Sequence, residues 1–289
     1  MKPRFAVIDI GSNSVRLMLG CCENGRARSL GKTLWSTRLA KGIDRTGMLA
    51  EDRVEETVRA LSAFRRQADA QKIPVLAYAT SAVRDAKNRD AFLNTVKEQT
   101  GLDVLVLSGE QEGAYAFSAV TGGEGTVLDI GGGSFQVVTE ARSQSFPCGC
   151  VRAKAISDAS DPETLEQELF AWIDAKATLP AAVPQPVYGV GGTITSIGAL
   201  LAGQTKYDGQ ELSVITLPDL DRLRREYGAI PEAERMRHPL LTEKRGDIIL
   251  QGMTILKYLM VRTNAARVIP SDRDGMEGIA EALLIGKIN

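Results

Sequence analysis

One pattern occurs twice in this chain, 120 positions apart. Phe5-Ala-Val-Ile-Asp-Ile-Gly-Ser-Asn-Ser-Val-Arg-Leu17 is echoed by Thr126-Val-Leu-Asp-Ile-Gly-Gly-Gly-Ser-Phe-Gln-Val137. Each copy is an apolar run ending in Asp, then Gly and Ser residues, then alternating apolar positions. That order specifies a strand, a tight turn and a returning strand. A Gly-rich turn lets backbone approach an anion closely, and successive N–H groups aimed at one point cradle phosphate. An acidic residue just before the turn can hold a divalent cation against phosphate oxygens. Two copies imply two similar domains and a phosphorylated ligand.

With 289 residues, 44% hydrophobic and 25% charged, the chain can bury two modest cores. It has no uninterrupted apolar run of about 18 residues, so no membrane partner is expected. Phe5–Ile8 is too short for a signal peptide and is stopped by Asp9. The cysteines fall as Cys21-Cys22 and Cys148-Gly-Cys150, spacings that suit neither a zinc site nor a thioredoxin-like pair. Reduced thiols and a cytoplasmic location are expected. Residues 1–120 are net basic and residues 121–289 net acidic within a total of −1, which suits an anionic substrate with a cation nearby, although solvated helix faces give the same balance. The single histidine, His238, excludes histidine-based metal sites and triads.

Between the two copies, strands alternate with helices. Val54, Val58, Leu61, Phe64 and Ala68 share one face of a helix over Glu51–Lys72. A strand over Pro74–Thr80 precedes Ser81-Ala-Val-Arg84, and a helix over Asn88–Thr100 ends at Gly101. A strand over Leu102–Leu107 is followed by Ser108-Gly-Glu-Gln-Glu112, which opens a helix to Val120. After the second hairpin, helices are expected over Pro162–Thr178, from Gly191-Gly192-Thr193 to Leu201, and over Pro218–Tyr227, Arg245–Arg262 and Gly275–Ile285. Strands fall at Pro186–Val190 and Arg267–Ile269. This is an α/β pattern with sheets covered on both faces. The domains are read as 1–122 and 123–275, hinged near Val120–Gly125, with a closing helix over 276–289 that packs back on the first.

Five ordered segments carry a resemblance. Asp9-Ile-Gly-Ser-Asn-Ser-Val-Arg16, Thr80-Ser-Ala-Val-Arg84 with Asn88-Arg89-Asp90, and Ser108-Gly-Glu-Gln-Glu112 are three. Asp129-Ile-Gly-Gly-Gly-Ser134 and Gly189-Val-Gly-Gly-Thr-Ile194 complete the set. Together the chain resembles the exopolyphosphatase/guanosine pentaphosphate phosphatase (Ppx/GppA) family from about residue 5 to residue 285, with weaker echoes at Arg245-Gly-Asp and Ser271-Asp272. The resemblance implies two ribonuclease H-like domains of the actin/Hsp70/sugar-kinase superfamily with an interdomain cleft. It implies Mg2+-dependent hydrolysis of a terminal phosphoanhydride, of inorganic polyphosphate first and guanosine pentaphosphate second. It implies Glu112 as the base that orients and deprotonates water, where the plain alternative is a first-turn helix acid.

By the same resemblance Ser12, Asn13, Gly132, Gly133 and Ser134 contact phosphate; Ser14 and Gly131 are added from the same turns, Arg16 and Arg84 from their places beside a turn and a strand end, and Gly192 and Thr193 from the helix start. Asp9 and Asp129 are placed near the metal. The residues themselves leave other readings open: Gly191-Gly192-Thr193 is an anion site or a tight strand–helix turn, and Arg16 and Arg84 are phosphate clamps or surface charges. One position departs from the family, which commonly has Gly-Gly-Gly-Ser-Thr-Glu where this chain has Gly131-Gly-Gly-Ser134-Phe135-Gln136. That departure keeps a weakly catalytic (p)ppGpp or polyphosphate sensor as the rival, with a sugar or acid kinase of the same fold ranked below it. No nucleic-acid partner is expected; a homodimer is left open.

Overall fold

The computed structural model describes Lys2 and residues 4–206, 211–241 and 245–285. The first strands are β1 (Arg4–Ile10), β2 (Val15–Glu23) and β3 (Arg26–Trp35), followed by α1 (Ile43–Thr46) and α2 (Glu51–Ala70). Next come β4 (Val75–Ala79), α3 (Ser81–Asp85), α4 (Arg89–Thr100), β5 (Val104–Val106) and α5 (Gly109–Thr121). The second hairpin is β6 (Thr126–Ile130) and β7 (Phe135–Thr139), with β8 (Ser143–Phe146), α6 (Cys150–Ile156) and α7 (Pro162–Asp174) after it. Then follow β9 (Val187–Val190), α8 (Gly192–Leu201), β10 (Ile215–Thr216), α9 (Leu217–Gly228), α10 (Glu232–Arg235), α11 (Ile249–Arg262), β11 (Arg267–Pro270) and α12 (Gly275–Ala280).

These elements form two compact units, one reaching Ala119 and resuming at Gly275, the other Val120–Asp274. The sheet of the first unit has the order β3-β2-β1-β4-β5, with β1, β4 and β5 parallel and the β1–β2–β3 meander antiparallel. The second unit repeats this as β8-β7-β6-β9-β11, with β10 added antiparallel on the edge. Both are the ribonuclease H-like arrangement. In each unit the central strand, Phe-Ala-Val-Ile or Thr-Val-Leu, is buried on both faces, as a sheet covered by helices requires.

The elements missed by sequence reasoning are informative. β3, whose pattern is mostly polar, is an edge strand paired only with β2, and β8 stands likewise beside β7. α6 is a seven-residue helix, too short for a periodic signal. The expected helix over Arg245–Arg262 begins instead at Ile249, and the closing helix passes after Ala280 into a π-helical turn, Glu281–Ile285.

α12 belongs to the first unit. Met276, Ile279 and Ala280 join Phe5, Val7, Met18 and Tyr78 in one core cluster. A Cβ on Gly278 would lie 1.9 Å from the Tyr115 carbonyl oxygen, so only glycine permits this approach to α5. Buried Glu277 pairs with Lys32 Nζ at 3.0 Å, and Glu281 accepts from the Ala27 amide at 2.9 Å.

Candidate active site

The two turns close in the same way: Gly11 N–H donates to Ser14 O at 3.0 Å and Gly131 N–H to Ser134 O at 2.9 Å. Each turn is also pinned from behind by the segment that follows the third strand of its sheet. Ser12 O and Asn13 O accept from the amides of Ala40 and Arg38, both at 2.9 Å. Gly131 O and Gly132 O accept from Cys150 N–H at 3.0 Å and Val151 N–H at 2.8 Å. In a trans peptide the N–H points opposite to the C=O of the same unit. Fixing these carbonyls therefore turns the amides of Asn13 and Ser14, and of Gly132 and Gly133, to the opposite side, as an anion cradle demands.

In the first unit the remaining residues gather at the C-terminal ends of the parallel strands. Thr80 N–H bonds Ile10 O and Leu107 N–H bonds Ala79 O, which brings the ends of β1, β4 and β5 side by side. Ligands of open α/β sheets bind at such an edge. Ser12 Oγ and Ser81 Oγ, both buried, are 2.9 Å apart. Arg84, on α3, donates from Nη1 to Leu107 O at 3.0 Å and to Glu112 Oε2 at 3.4 Å. α5 starts with a capping box: Ser108 Oγ accepts from Gln111 N–H at 3.1 Å, and Gln111 Oε1 accepts from Ser108 N–H at 3.0 Å. Glu112 follows one residue later, its amide bonded to Ser108 O.

Asp9 and Arg16 are directly opposed in the β1–β2 register. Asp9 is 5% exposed, and its Oδ2 accepts from Arg16 Nε at 2.9 Å and Nη2 at 2.5 Å. Arg16 is thus an ion-pair partner of Asp9 as well as a cation beside the first turn.

In the second unit Asp129 and Gln136 are opposed in the same register, on one face of the sheet. Gln136 is 1% exposed and its Oε1 has no hydrogen-bond partner among the described residues. Gly191 (φ +89°) brings the next turn against Asp129, since a Cβ there would lie 2.9 Å from Asp129 Oδ1. Arg245 lies over Gly192, donating from Nη1 to Gly192 O at 3.3 Å and Ser196 Oγ at 3.4 Å. Thr193 is buried and its hydroxyl contacts Cys150 Sγ at 3.3 Å. Burial pushes the Cys150 thiol up to about 11, which keeps it protonated and inert at neutral pH. The second unit thereby gathers Asp129, Gly131–Ser134, Gln136, Gly191–Thr193 and Arg245.

Sequence reasoning left Ser81, Arg245, Arg38, Ala40 and Gly149 out of the site. Ser81 and Arg245 lay within or near recognised segments and could have been included. Arg38 (φ +52°) and Ala40 act through backbone amides, which no side-chain pattern reveals. Gly149 is required because a Cβ would fall 2.5 Å from Gly132 O and Ser134 N.

Duplicated ribonuclease H-like units, each with a pinned Gly/Ser turn between an aspartate-ended strand and its return, define a phosphate-binding protein. The chain matches the Ppx/GppA phosphatase family over residues 21–284 and belongs to it. It is 28% identical to exopolyphosphatase 2 of Mycobacterium tuberculosis over 97% of this chain and 98% of that one. It is 32% identical to the guanosine-5'-triphosphate,3'-diphosphate pyrophosphatase of Pseudoalteromonas atlantica over 87% of this chain, which spans 53% of that longer protein. A crystal structure of the Aquifex aeolicus family member aligns with TM-score 0.78 at 31% identity, covering 99% of both chains.

Proposed function

We propose that this protein is a phosphohydrolase that removes the terminal phosphate of inorganic polyphosphate, with Glu112 as the general base. The observation that carries the reading is the convergence of the Gly11–Ser14 turn, Ser81, Arg84 and Glu112 at one edge of the first sheet. An anion cradle beside a carboxylate is what hydrolysis of a phosphoanhydride requires. The turn amides stabilise charge on the transferring phosphoryl group, and the carboxylate accepts a proton from the attacking water. Polyphosphate is preferred because the end-to-end relative is an exopolyphosphatase, whereas the guanosine pentaphosphate relative is matched over about half its length.

The family's phosphatase chemistry implies a divalent cation, and the residues fit one of limited protein ligation. Among the described residues no three His, Cys, Asp or Glu side chains cluster. Mg2+ commonly takes one or two carboxylates and completes its shell with water and substrate phosphate. Asp9 has Oδ2 committed to Arg16. Asp129 directly precedes the Gly-rich turn of the second unit and is opposed to Gln136, whose buried Oε1 has no hydrogen-bond partner among the described residues, and it is the carboxylate assigned here to the cation. Bound there, Mg2+ would neutralise phosphate charge.

The test is phosphate release with Mg2+ from tripolyphosphate, long-chain polyphosphate and guanosine pentaphosphate, beside Glu112→Gln. Release that falls about 10²–10⁴-fold in the variant is expected, fastest on polyphosphate. Faster release from guanosine pentaphosphate would reassign the substrate. Gln136 favours a second reading, a sensor, and tight binding of all three compounds without release would establish it instead.

A further inference from the structure

Arg84 was expected to clamp phosphate. Its surroundings give it another task, one that rests on Glu112 being the base. The side chain leaves α3 and ends at the junction where β5 turns into α5. Nη1 is committed twice, to Leu107 O at 3.0 Å and to Glu112 Oε2 at 3.4 Å, and Nε lies 3.5 Å from Asp85 Oδ1. Both Nη1 acceptors belong to one rigid piece of chain, because the capping box locks Ser108–Gln111 between them. The Arg84 side chain is 23% exposed and that of Glu112 18%, so the contact is shielded from full solvent screening. An arginine poised for bidentate phosphate capture presents an open fork. Here half the fork is spent on the base and on the carbonyl at the root of its helix.

We propose that Arg84 is the positioning residue for Glu112: it fixes the carboxylate rotamer from the strand edge rather than serving first as a phosphate ligand. A glutamate has three side-chain torsions, and fixing them costs conformational entropy. An arginine already anchored on Leu107 O supplies that order before substrate arrives. Proton transfer depends steeply on hydrogen-bond geometry, so the benefit falls on the chemical step.

The experiment is a double-mutant cycle on tripolyphosphate, with kcat and KM measured for wild type, Arg84→Ala, Glu112→Gln and the pair. Positioning predicts that Arg84→Ala lowers kcat about 10–100-fold with KM changed less than about threefold. In the Glu112→Gln background it lowers kcat by less than about twofold, because residues acting as a unit are non-additive. Arg84→Lys, which keeps a cation of similar reach, restores part of kcat and tests the same point if the alanine variant fails to fold. An equal loss from Arg84→Ala in both backgrounds, or a loss appearing as a raised KM, overturns the proposal in favour of phosphate binding. Wild-type turnover by Glu112→Gln would instead overturn the reading of Glu112 as the base.

Discussion

Asp9 and Asp129 occupy the same place in two copies of one hairpin, yet Asp9 faces Arg16 and Asp129 faces Gln136. The turns after them are Gly-Ser-Asn-Ser in the first unit and Gly-Gly-Gly-Ser in the second. Both use the same closing hydrogen bond and have carbonyls tied back by the following segment. Backbone geometry has been kept while side-chain chemistry diverged. The first copy is neutralised internally by a cation. In the second the residue opposite the aspartate is a neutral glutamine. The difference sets an Asp–Arg ion pair behind the turn of the first unit and an aspartate opposite a buried glutamine behind the turn of the second.

The largest effect that would break the comparison concerns how the turns are pinned. The second turn rests on Gly149, where a Cβ would collide with backbone at 2.5 Å, while the first rests on Arg38 and Ala40, which already carry side chains. Gly149→Ala is expected to cost about 3 kcal/mol or more, because backbone must move. Ala40→Gly should cost about 1 kcal/mol, through the added backbone freedom of the unfolded chain. Urea denaturation of the two variants measures both; equal losses would mean that the turns are supported alike.

A smaller contrast separates the aspartates. Asp9→Asn removes the charge facing Arg16 and should cost about 2 kcal/mol. This is below the 3–5 kcal/mol of a fully buried pair, because the arginine side chain is 25% exposed. With the cation held at Asp129 as proposed, Mg2+ should raise the melting temperature of the wild type, and Asp129→Asn should weaken that shift. If Asp9→Asn abolished that shift and Asp129→Asn spared it, the cation would belong to the first unit.

The smallest expected effect sharpens the role of Gln136. Gln136→Glu sets two carboxylates side by side, which is unfavourable without a counter-ion. Its stability in EDTA should fall by about 1 kcal/mol, and Mg2+ should restore it, raising the melting temperature more than in wild type. A variant indifferent to Mg2+ would argue against cation holding at Asp129.

Much of this was legible beforehand because it is local. The hairpins, the Gly-rich turns and the capping box at Ser108 are short-range choices, in which Asp, Gly and Ser at fixed offsets dictate backbone conformation. Edge strands β3 and β8 were not legible, since one-sided pairing relaxes the burial pattern that marks a strand. Nor was the contact of Gly149 with the second turn or of Arg245 with Gly192, the latter linking residues 53 positions apart.

By itself the sequence determined two α/β units, each with a Gly/Ser turn behind an aspartate, and a glutamate at the start of a helix. Those features are written in periodicity and in residues whose conformational preferences are intrinsic. Only the tertiary structure decided which partner each aspartate faces, that Arg84 grips the candidate base, and that loop carbonyls are held from behind so that their amides turn the other way. Strand register and long-range packing set these relations, and both emerge only when distant segments are buried together.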